Sequence, residues 1–286
     1  VEIVRGPQSA LWGSEAIGGV VSVSGAADNG VYAQAEGGSF GFRRLGGTAA
    51  TTSDTVDLAF AGGVQGSAGI NAFAGGAGDR DGYHNAGIRG RAAWRPTSGI
   101  ELGLNAFAIR NRSEFDGYDP LTFLRADTKD ESRSRLAAGR LSARFAQAGW
   151  VLSAAVSRLQ SSNRNFLGDA DVNRTAASRT SGQLQVERGF ATGKVQHKFI
   201  AALDADREDF RARDLAFGGL SNQDRDRAHR ALTAEWRAEA GPIVADVAVR
   251  RDAFNRFRDT TTVRASVLAK VGAGLTAAAS YGEGLA

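Results

Sequence analysis

Apolar and polar residues alternate at every second position through the last third of the chain, and this period constrains the fold more than any other feature. In the run 230–240, one face contains Leu232, Ala234, Trp236, Ala238 and Ala240. The opposite face contains Thr233, Glu235, Arg237 and Glu239. Successive side chains of a β-strand point to opposite faces, whereas a helix would distribute these residues around its axis. The pattern therefore predicts an all-β protein.

The period of two extends back to residue 31 and predicts thirteen strands. Several exceed the ~9–11 residues that cross a bilayer at a tilt. No segment approaches the ~18 consecutive apolar residues of a transmembrane helix, so any membrane crossing would use strands. The predicted strands lie at 31–40, 42–52, 55–74, 83–95, 99–112, 131–147, 149–163, 177–189, 194–210, 225–240, 242–255, 260–271 and 274–284.

The composition excludes several classes of protein. Hydrophobic residues make up 42% of the 286 residues and charged residues 23%, a balance that excludes an intrinsically disordered chain. Cys is absent and the three His lie far apart in sequence, which excludes disulfide frameworks, thiolate zinc sites and cysteine nucleophiles. The formal net charge is +4 with both signs interspersed, so no basic face predicts a nucleic-acid partner.

The connections between the predicted strands alternate in length. Short turns are predicted at 52–54, 96–98, 147–149, 190–193, 241–242 and 272–273. Longer polar segments are predicted at 75–82, 113–130, 164–176, 211–224 and 256–259. One edge of the sheet would then have tight turns and the other mostly large loops, as in outer-membrane barrels. A soluble β-sandwich has no reason to sort its loops in this way.

Tryptophan positions agree with a membrane barrel. Trp94 precedes one predicted short turn, Trp150 follows another, and Trp236 lies just before a third. Amphipathic rings favour the membrane interface, so these three residues are predicted to form an interfacial girdle at the tight-turn edge. The alternative is that they anchor the core of a soluble β-protein.

The number of strands predicts a partial barrel. Thirteen is odd, whereas bacterial single-chain barrels close with an even number of strands. The chain begins at Val1, contains no Met and ends at Ala286 directly after a strand-like run, which also predicts a fragment. The polar face is rich in Arg, Asp and Glu, and this predicts a wide lumen filled by water or by a plug.

Residues 1–30 depart from the period of two and predict compact α/β packing rather than barrel wall. The stretch VEIVRGPQSALWGSEAIGGVVSVSG (1–25) resembles the closing part of the plug domain of TonB-dependent outer-membrane receptors. GGSFGFRRLGG (37–47) resembles the first barrel hairpin of that family, and AASYGEGLA (278–286) resembles a mid-barrel strand. Through Arg250-Arg251-Asp252 and the SYGEG strand, the sequence is most similar to vitamin B12 receptors, with ferric-siderophore receptors next.

The resemblance implies a 22-stranded barrel in the outer membrane of a Gram-negative bacterium, blocked by an N-terminal plug. Residues 1–30 would be the end of the plug and a linker, and 31–286 about the first half of the barrel. The implied partners are outer-membrane lipid, a cobalamin or ferric-siderophore ligand, and the TonB complex, which would contact a plug segment preceding residue 1. The plug positions matched by motif, with an implied role in fold and plug–barrel contact, are Arg5, Gly6, Pro7, Ser9, Gly13, Gly18 and Gly19.

No catalytic site is predicted. Gly37-Gly38-Ser39-Phe40-Gly41 matches a nucleophile-elbow pattern, but a strand is predicted after it where that motif needs a helix. No resident cofactor is expected apart from Ca²⁺, for which B12-type receptors suggest the loop residues Asp116, Asp119, Asp127 and Asp130 as ligands. Solvated loop charge is the alternative for these four residues. A passive porin-like barrel and a soluble β-rich domain are the alternatives for the whole chain.

Overall fold

A computed structural model describes residues 2–5, 19–22, 29–73, 78–272 and 274–284. These residues form two antiparallel sheets. The smaller sheet pairs β1 (Glu2–Arg5) with β2 (Gly19–Ser22). The larger sheet has thirteen strands, β3 to β15, each paired with its neighbours in sequence order. This architecture confirms the predicted all-β class and the predicted thirteen strands.

The strands of the large sheet are long, and the longest has 23 residues. A short 3₁₀ turn, Ser39–Gly41, connects β3 to β4, so a strand does follow the nucleophile-elbow pattern. Within the described residues there is no helix with the length and hydrophobicity that crossing a membrane as a helix requires. The bounds are β3 Gly30–Gly37, β4 Arg43–Thr52, β5 Val56–Ile70, β6 Asp81–Thr97, β7 Ile100–Phe115, β8 Asp130–Gln147, β9 Trp150–Leu167, β10 Ala170–Thr192, β11 Val195–Asp214, β12 Gln223–Ala240, β13 Ile243–Phe254, β14 Thr260–Gly272 and β15 Leu275–Gly282.

The register assigns each side chain to one of two faces. Trp236 lies opposite Phe199 on β11 and opposite Val247 on β13, so the apolar positions of adjacent strands share one face. This face, which we call the outer face, is solvent-accessible: Trp236 is 38% exposed and Val247 45%. The apolar side chains are therefore not covered by a second layer of protein. The buried side chains of the described strands, apart from Glu131, lie on the opposite, inner face: Asp57, Ala202, Ala231, Thr233, Ala248, Arg250, Asp252 and Thr262.

The connections are sorted by edge, as the sequence predicts. One edge has turns such as 98–99, 148–149 and 241–242, and the other has most of the long connections, including 116–129 and 215–222. We call these the turn edge and the loop edge.

The predicted long loop at 164–176 is wrong. β9 continues to Leu167 and β10 begins at Ala170, so a two-residue turn connects them. Gly168 has a φ of 57° in this turn, a left-handed conformation that glycine adopts at little steric cost. Polar pairs across the ladder, including Asn165 to Asn173 at 2.9 Å, extend the hairpin beyond the alternating part of the sequence. Polar residues lie on both faces here, and a register shift between Asp171 and Asn173 interrupts the alternation, so the period of two does not extend into the segment.

Only part of the predicted plug segment lies among the described residues. Arg5 pairs in register with Gly19, which ends the four-residue ladder between β1 and β2. Gly6, Pro7, Ser9, Gly13 and Gly18 lie outside the described residues.

Candidate functional site

A network of charged side chains lies on the inner face, where β11, β12 and β13 meet. Its centre is Arg250, which is only 4% exposed. The guanidinium donates from Nε to Asp252 Oδ1 at 3.0 Å, and from Nη1 to Asp204 Oδ2 at 2.8 Å and Thr233 Oγ1 at 3.1 Å. A buried guanidinium needs such partners, because an unpaired buried charge costs several kcal/mol.

His229 connects two of the carboxylates in this network. Its Nδ1 lies 2.7 Å from Asp206 Oδ2 and its Nε2 lies 2.7 Å from Asp252 Oδ1. Its ring stacks on Phe254 at a centroid separation of 4.6 Å. Arg179 on β10 adds a further cation, 3.6 Å from Asp206. Each carboxylate of the network therefore has a hydrogen-bonding or cationic partner on the same face. We call it the inner network: Asp204, Asp206, His229, Thr233, Arg250 and Asp252.

Cross-strand register brings the inner network together. Asp206 lies opposite His229, and Thr233 lies opposite Arg250. In the sequence these residues are spread over positions 204 to 252, and the alternation assigns them only to the polar face. Sequence reasoning missed the network because pairing partners depend on register. The available signal was the recurrence of charged residues on the polar sides of three consecutive strands.

Acidic side chains from two connections meet at the loop edge. Single carboxylate oxygens of Asp79, Asp116 and Asp127 all lie within 4.8 Å of one another. Asn71 donates to Asp127 Oδ2 at 2.9 Å, and Asp116 Oδ2 is buried without a hydrogen-bond partner among the described residues. Burial raises the pKa of Asp79, and the neighbouring Asp127 raises it further. Clustered carboxylates with a free oxygen are the donors that Ca²⁺ prefers.

Of the four predicted Ca²⁺ ligands, the structure brings Asp116 and Asp127 into this cluster and adds Asp79, which the sequence did not single out. Asp119 instead caps its own turn, accepting hydrogen bonds from the backbone of Leu121 and Thr122 at 2.9 and 2.8 Å. These bonds lower the pKa of Asp119. Asp130 accepts a hydrogen bond from the Thr128 hydroxyl at 3.1 Å.

The three tryptophans predicted to form a girdle lie on the outer face near the turn edge. Trp94 pairs in register with Val56, and Trp150 lies under the guanidinium of Arg188 at 4.9 Å. Trp236 stacks on Phe199 and donates from Nε1 to His197 Nδ1 at 3.3 Å. Aromatic rings and polar groups are thus combined at one level of the sheet, a combination typical of a membrane interface.

An apolar concavity of about 600 Å³ lies near the N-terminal edge of the large sheet. Its lining includes Val31, Phe60, Gly90 and Leu104. These residues belong to the outer face, where small residues leave a depression between larger ones. The depression is a feature of the apolar surface and does not open into the inner network.

No protein-family model matches the chain. Solved structures do match its fold. A double variant of the ferric enterobactin receptor PfeA of Pseudomonas aeruginosa is similar with a TM-score of 0.73 and 15% identity, covering 97% of this chain and 47% of that chain. The siderophore receptor PiuA of Acinetobacter baumannii gives a TM-score of 0.67 and 12% identity, covering 94% and 52%. The outer membrane transporter YddB of Escherichia coli gives 0.62 and 11%, covering 81% and 36%.

These comparisons show the fold. The thirteen strands follow the wall of outer-membrane receptor barrels, which confirms the predicted partial barrel and agrees with the resemblance found in the sequence. The chain spans about half the length of the receptors PiuA and PfeA.

Proposed function

We propose that this chain is part of an outer-membrane receptor that actively imports a scarce metal chelate in a Gram-negative bacterium. The observation that supports the proposal is the division of one sheet into an apolar, exposed outer face and a charged inner face that holds most of the buried side chains, in a fold similar to siderophore receptors. An apolar outer face suits lipid, and a charged inner face suits an enclosed polar lumen.

A ferric siderophore is the favoured ligand class and cobalamin the second. PfeA and PiuA, which have this fold, are siderophore receptors. Cobalamin is supported by the similarity of Arg250-Arg251-Asp252 and the SYGEG strand to vitamin B12 receptors. In either case we propose that the loop edge captures the chelate and that the TonB complex supplies the energy for import through the plug.

The loop-edge carboxylates suit a structural role in such a receptor. We propose that Asp79, Asp116 and Asp127 bind Ca²⁺ and so hold the connections 71–80 and 116–129 together. Further oxygen ligands would complete the coordination shell, because Ca²⁺ takes 6–8 oxygen ligands.

A passive porin is the alternative function. It predicts that the first 25 residues join the barrel as an additional strand or form a tail. β1 and β2 instead pair with each other and are separate from the thirteen-stranded sheet. This separate sheet favours a plug-containing receptor.

Growth of a deletion strain of the full-length gene tests the proposal. We expect slow growth when a ferric siderophore is the only iron source, and restored growth when the gene is returned. A parallel culture on limiting cobalamin distinguishes the two ligand classes. Equal growth of the deletion strain and its parent in both media would contradict active import. Conductance across a planar bilayer in the absence of ligand would favour the porin.

A further inference from the structure

Arginines from β7 and β8 face each other on the outer face, toward the loop edge. Arg110 lies directly opposite Arg135, and Arg112 lies directly opposite Arg133. They belong to the same face as Leu104 and its partner on β8, since no register shift interrupts this ladder. The last small apolar pair before them is Ala108 with Ala137. The four guanidinium groups therefore border the apolar surface.

The two arginine pairs differ in their counter-charges. Arg112 contacts Glu131 at 2.7 Å, and Arg133 also forms an ion pair with Glu131. Arg110 and Arg135 are exposed, and neither has a carboxylate partner among the described residues. Like charges directly opposite each other destabilise a sheet. An external anion between Arg110 and Arg135 would remove that repulsion.

The cationic surface continues onto the next two strands. Arg164 pairs in register with Arg133 on one side and with Arg174 on the other. Asp171 forms ion pairs with both Arg164 and Arg174. Arg158, nearer to the apolar surface, donates to the Thr180 hydroxyl at 3.2 Å. The outer face of β7 to β10 thus has more arginines than carboxylates at this level.

We propose that Arg110 and Arg135 bind the phosphate of an acylated lipid in the loop-side leaflet, with Arg112, Arg133 and Arg158 around it. Guanidinium groups form bidentate, charge-assisted hydrogen bonds with phosphate, and the adjoining apolar face accommodates acyl chains. The amphipathic arrangement selects a lipid phosphate over a free phosphate, because only the lipid satisfies both surfaces. This inference depends on the proposed location of the barrel in the outer membrane.

Native mass spectrometry of the full-length protein in detergent, with diphosphoryl lipid A as the probe, tests the inference. Losing both guanidinium groups removes two charge-assisted contacts, so we expect Arg110→Gln with Arg135→Gln to weaken binding by about tenfold or more. The matched control is Arg140→Gln with Arg144→Gln, which removes two arginines from the inner face of the same strand β8. We expect the control to bind like the wild type.

A charge-conserving variant, competition with inorganic phosphate and a siderophore-binding measurement complete the test. Arg110→Lys with Arg135→Lys keeps both charges, and we expect intermediate binding; this pair replaces the Gln pair if the latter fails to fold. Equal lipid binding by the folded wild type and the Gln or Lys variant would overturn the proposal, as would full displacement of lipid by millimolar inorganic phosphate. Ferric-siderophore binding is measured on the same samples. If the wild type binds lipid but no ferric siderophore, the result would count against the proposed receptor function and would leave the proposed lipid site supported.

Discussion

The inner and outer faces of the large sheet use arginine in opposite ways, and two consecutive residues of β13 illustrate the difference. Arg250 on the inner face is 4% exposed and contacts Asp204, Asp252 and Thr233. The side chain of Arg251 on the outer face is 56% exposed and has one ion pair, with Asp259 at 3.1 Å. Arg250 and Arg251 thus have different electrostatic environments, because consecutive side chains of a strand point to opposite faces.

The difference follows from desolvation. A buried charge is tolerated only with partners, and each carboxylate of the inner network has one on the same face, including Arg179 for Asp206. An exposed charge is stabilised by water or by a partner outside the protein, so the outer face keeps cations such as Arg110 and Arg135 without internal counter-ions. Removing one partner from the buried network is therefore expected to destabilise the wall, whereas the exposed arginines suit the external anion proposed above.

Removing the centre of the inner network is expected to have the largest effect. Arg250→Ala leaves Asp252 and Asp204 without their main cation, and we expect a loss of about 3–5 kcal/mol in the free energy of unfolding. Arg251→Ala is the matched control and should cost about 0–1 kcal/mol. Urea unfolding of the full-length protein in detergent measures both. Similar costs for the two variants would contradict the contrast between the faces.

Placing a charge on the apolar part of the outer face tests the lipid environment. Val249→Arg puts a guanidinium on the outer face beyond the level of Trp236, opposite Ala234 and Val263, and we expect a loss of about 2–4 kcal/mol in lipid vesicles. Val244→Arg, on the inner face of the same strand, should cost less because the lumen is polar. Unfolding in vesicles of defined lipid measures the difference. An equal or larger cost for Val244→Arg would indicate that the faces are assigned the wrong way round.

The loop-edge carboxylates Asp79, Asp116 and Asp127 form a cluster of negative charge, in contrast to the positively charged arginines of the outer face. Asp127→Asn is expected to weaken Ca²⁺ binding by about tenfold or more, equal to at least about 1.4 kcal/mol. Ca²⁺ competes with protons for a carboxylate, so affinity should fall as the pH drops through the raised pKa of Asp79. Calorimetric titration of the full-length protein measures both effects. Asp119→Asn is the control, and weaker binding by this variant than by Asp127→Asn would contradict the assigned cluster.

The smallest effect is expected for an exposed pair on the outer face. Arg207 lies 3.5 Å from Asp209, with side-chain exposures of 69% and 45%. A double-mutant cycle with Arg207→Ala and Asp209→Ala should give a coupling of about 0.2–1 kcal/mol, reduced by salt. A coupling comparable to the cost of Arg250→Ala would show that exposure does not separate the two faces.

Much of the fold was predictable from local patterns. The period of two gave the thirteen strands, their faces and the outer positions of Trp94, Trp150 and Trp236. The prediction of a loop at 164–176 is wrong, because polar residues lie on both faces of a hairpin that continues through this segment. The Ca²⁺ site stays a prediction: the structure brings Asp116 and Asp127 together and uses Asp119 in its own turn, a difference that acidic positions in sequence do not reveal.

By itself, the sequence determined which residues are strands and which face each side chain occupies, because side-chain direction in a strand depends only on position along the chain. Tertiary structure alone decided which residues on a face meet. The inner network joins residues from 204 to 252, the loop-edge cluster adds Asp79, and Arg110 opposes Arg135, all through register or loop packing. Register is a relation between strands, and its consequences for charge pairing appear only when the strands are assembled.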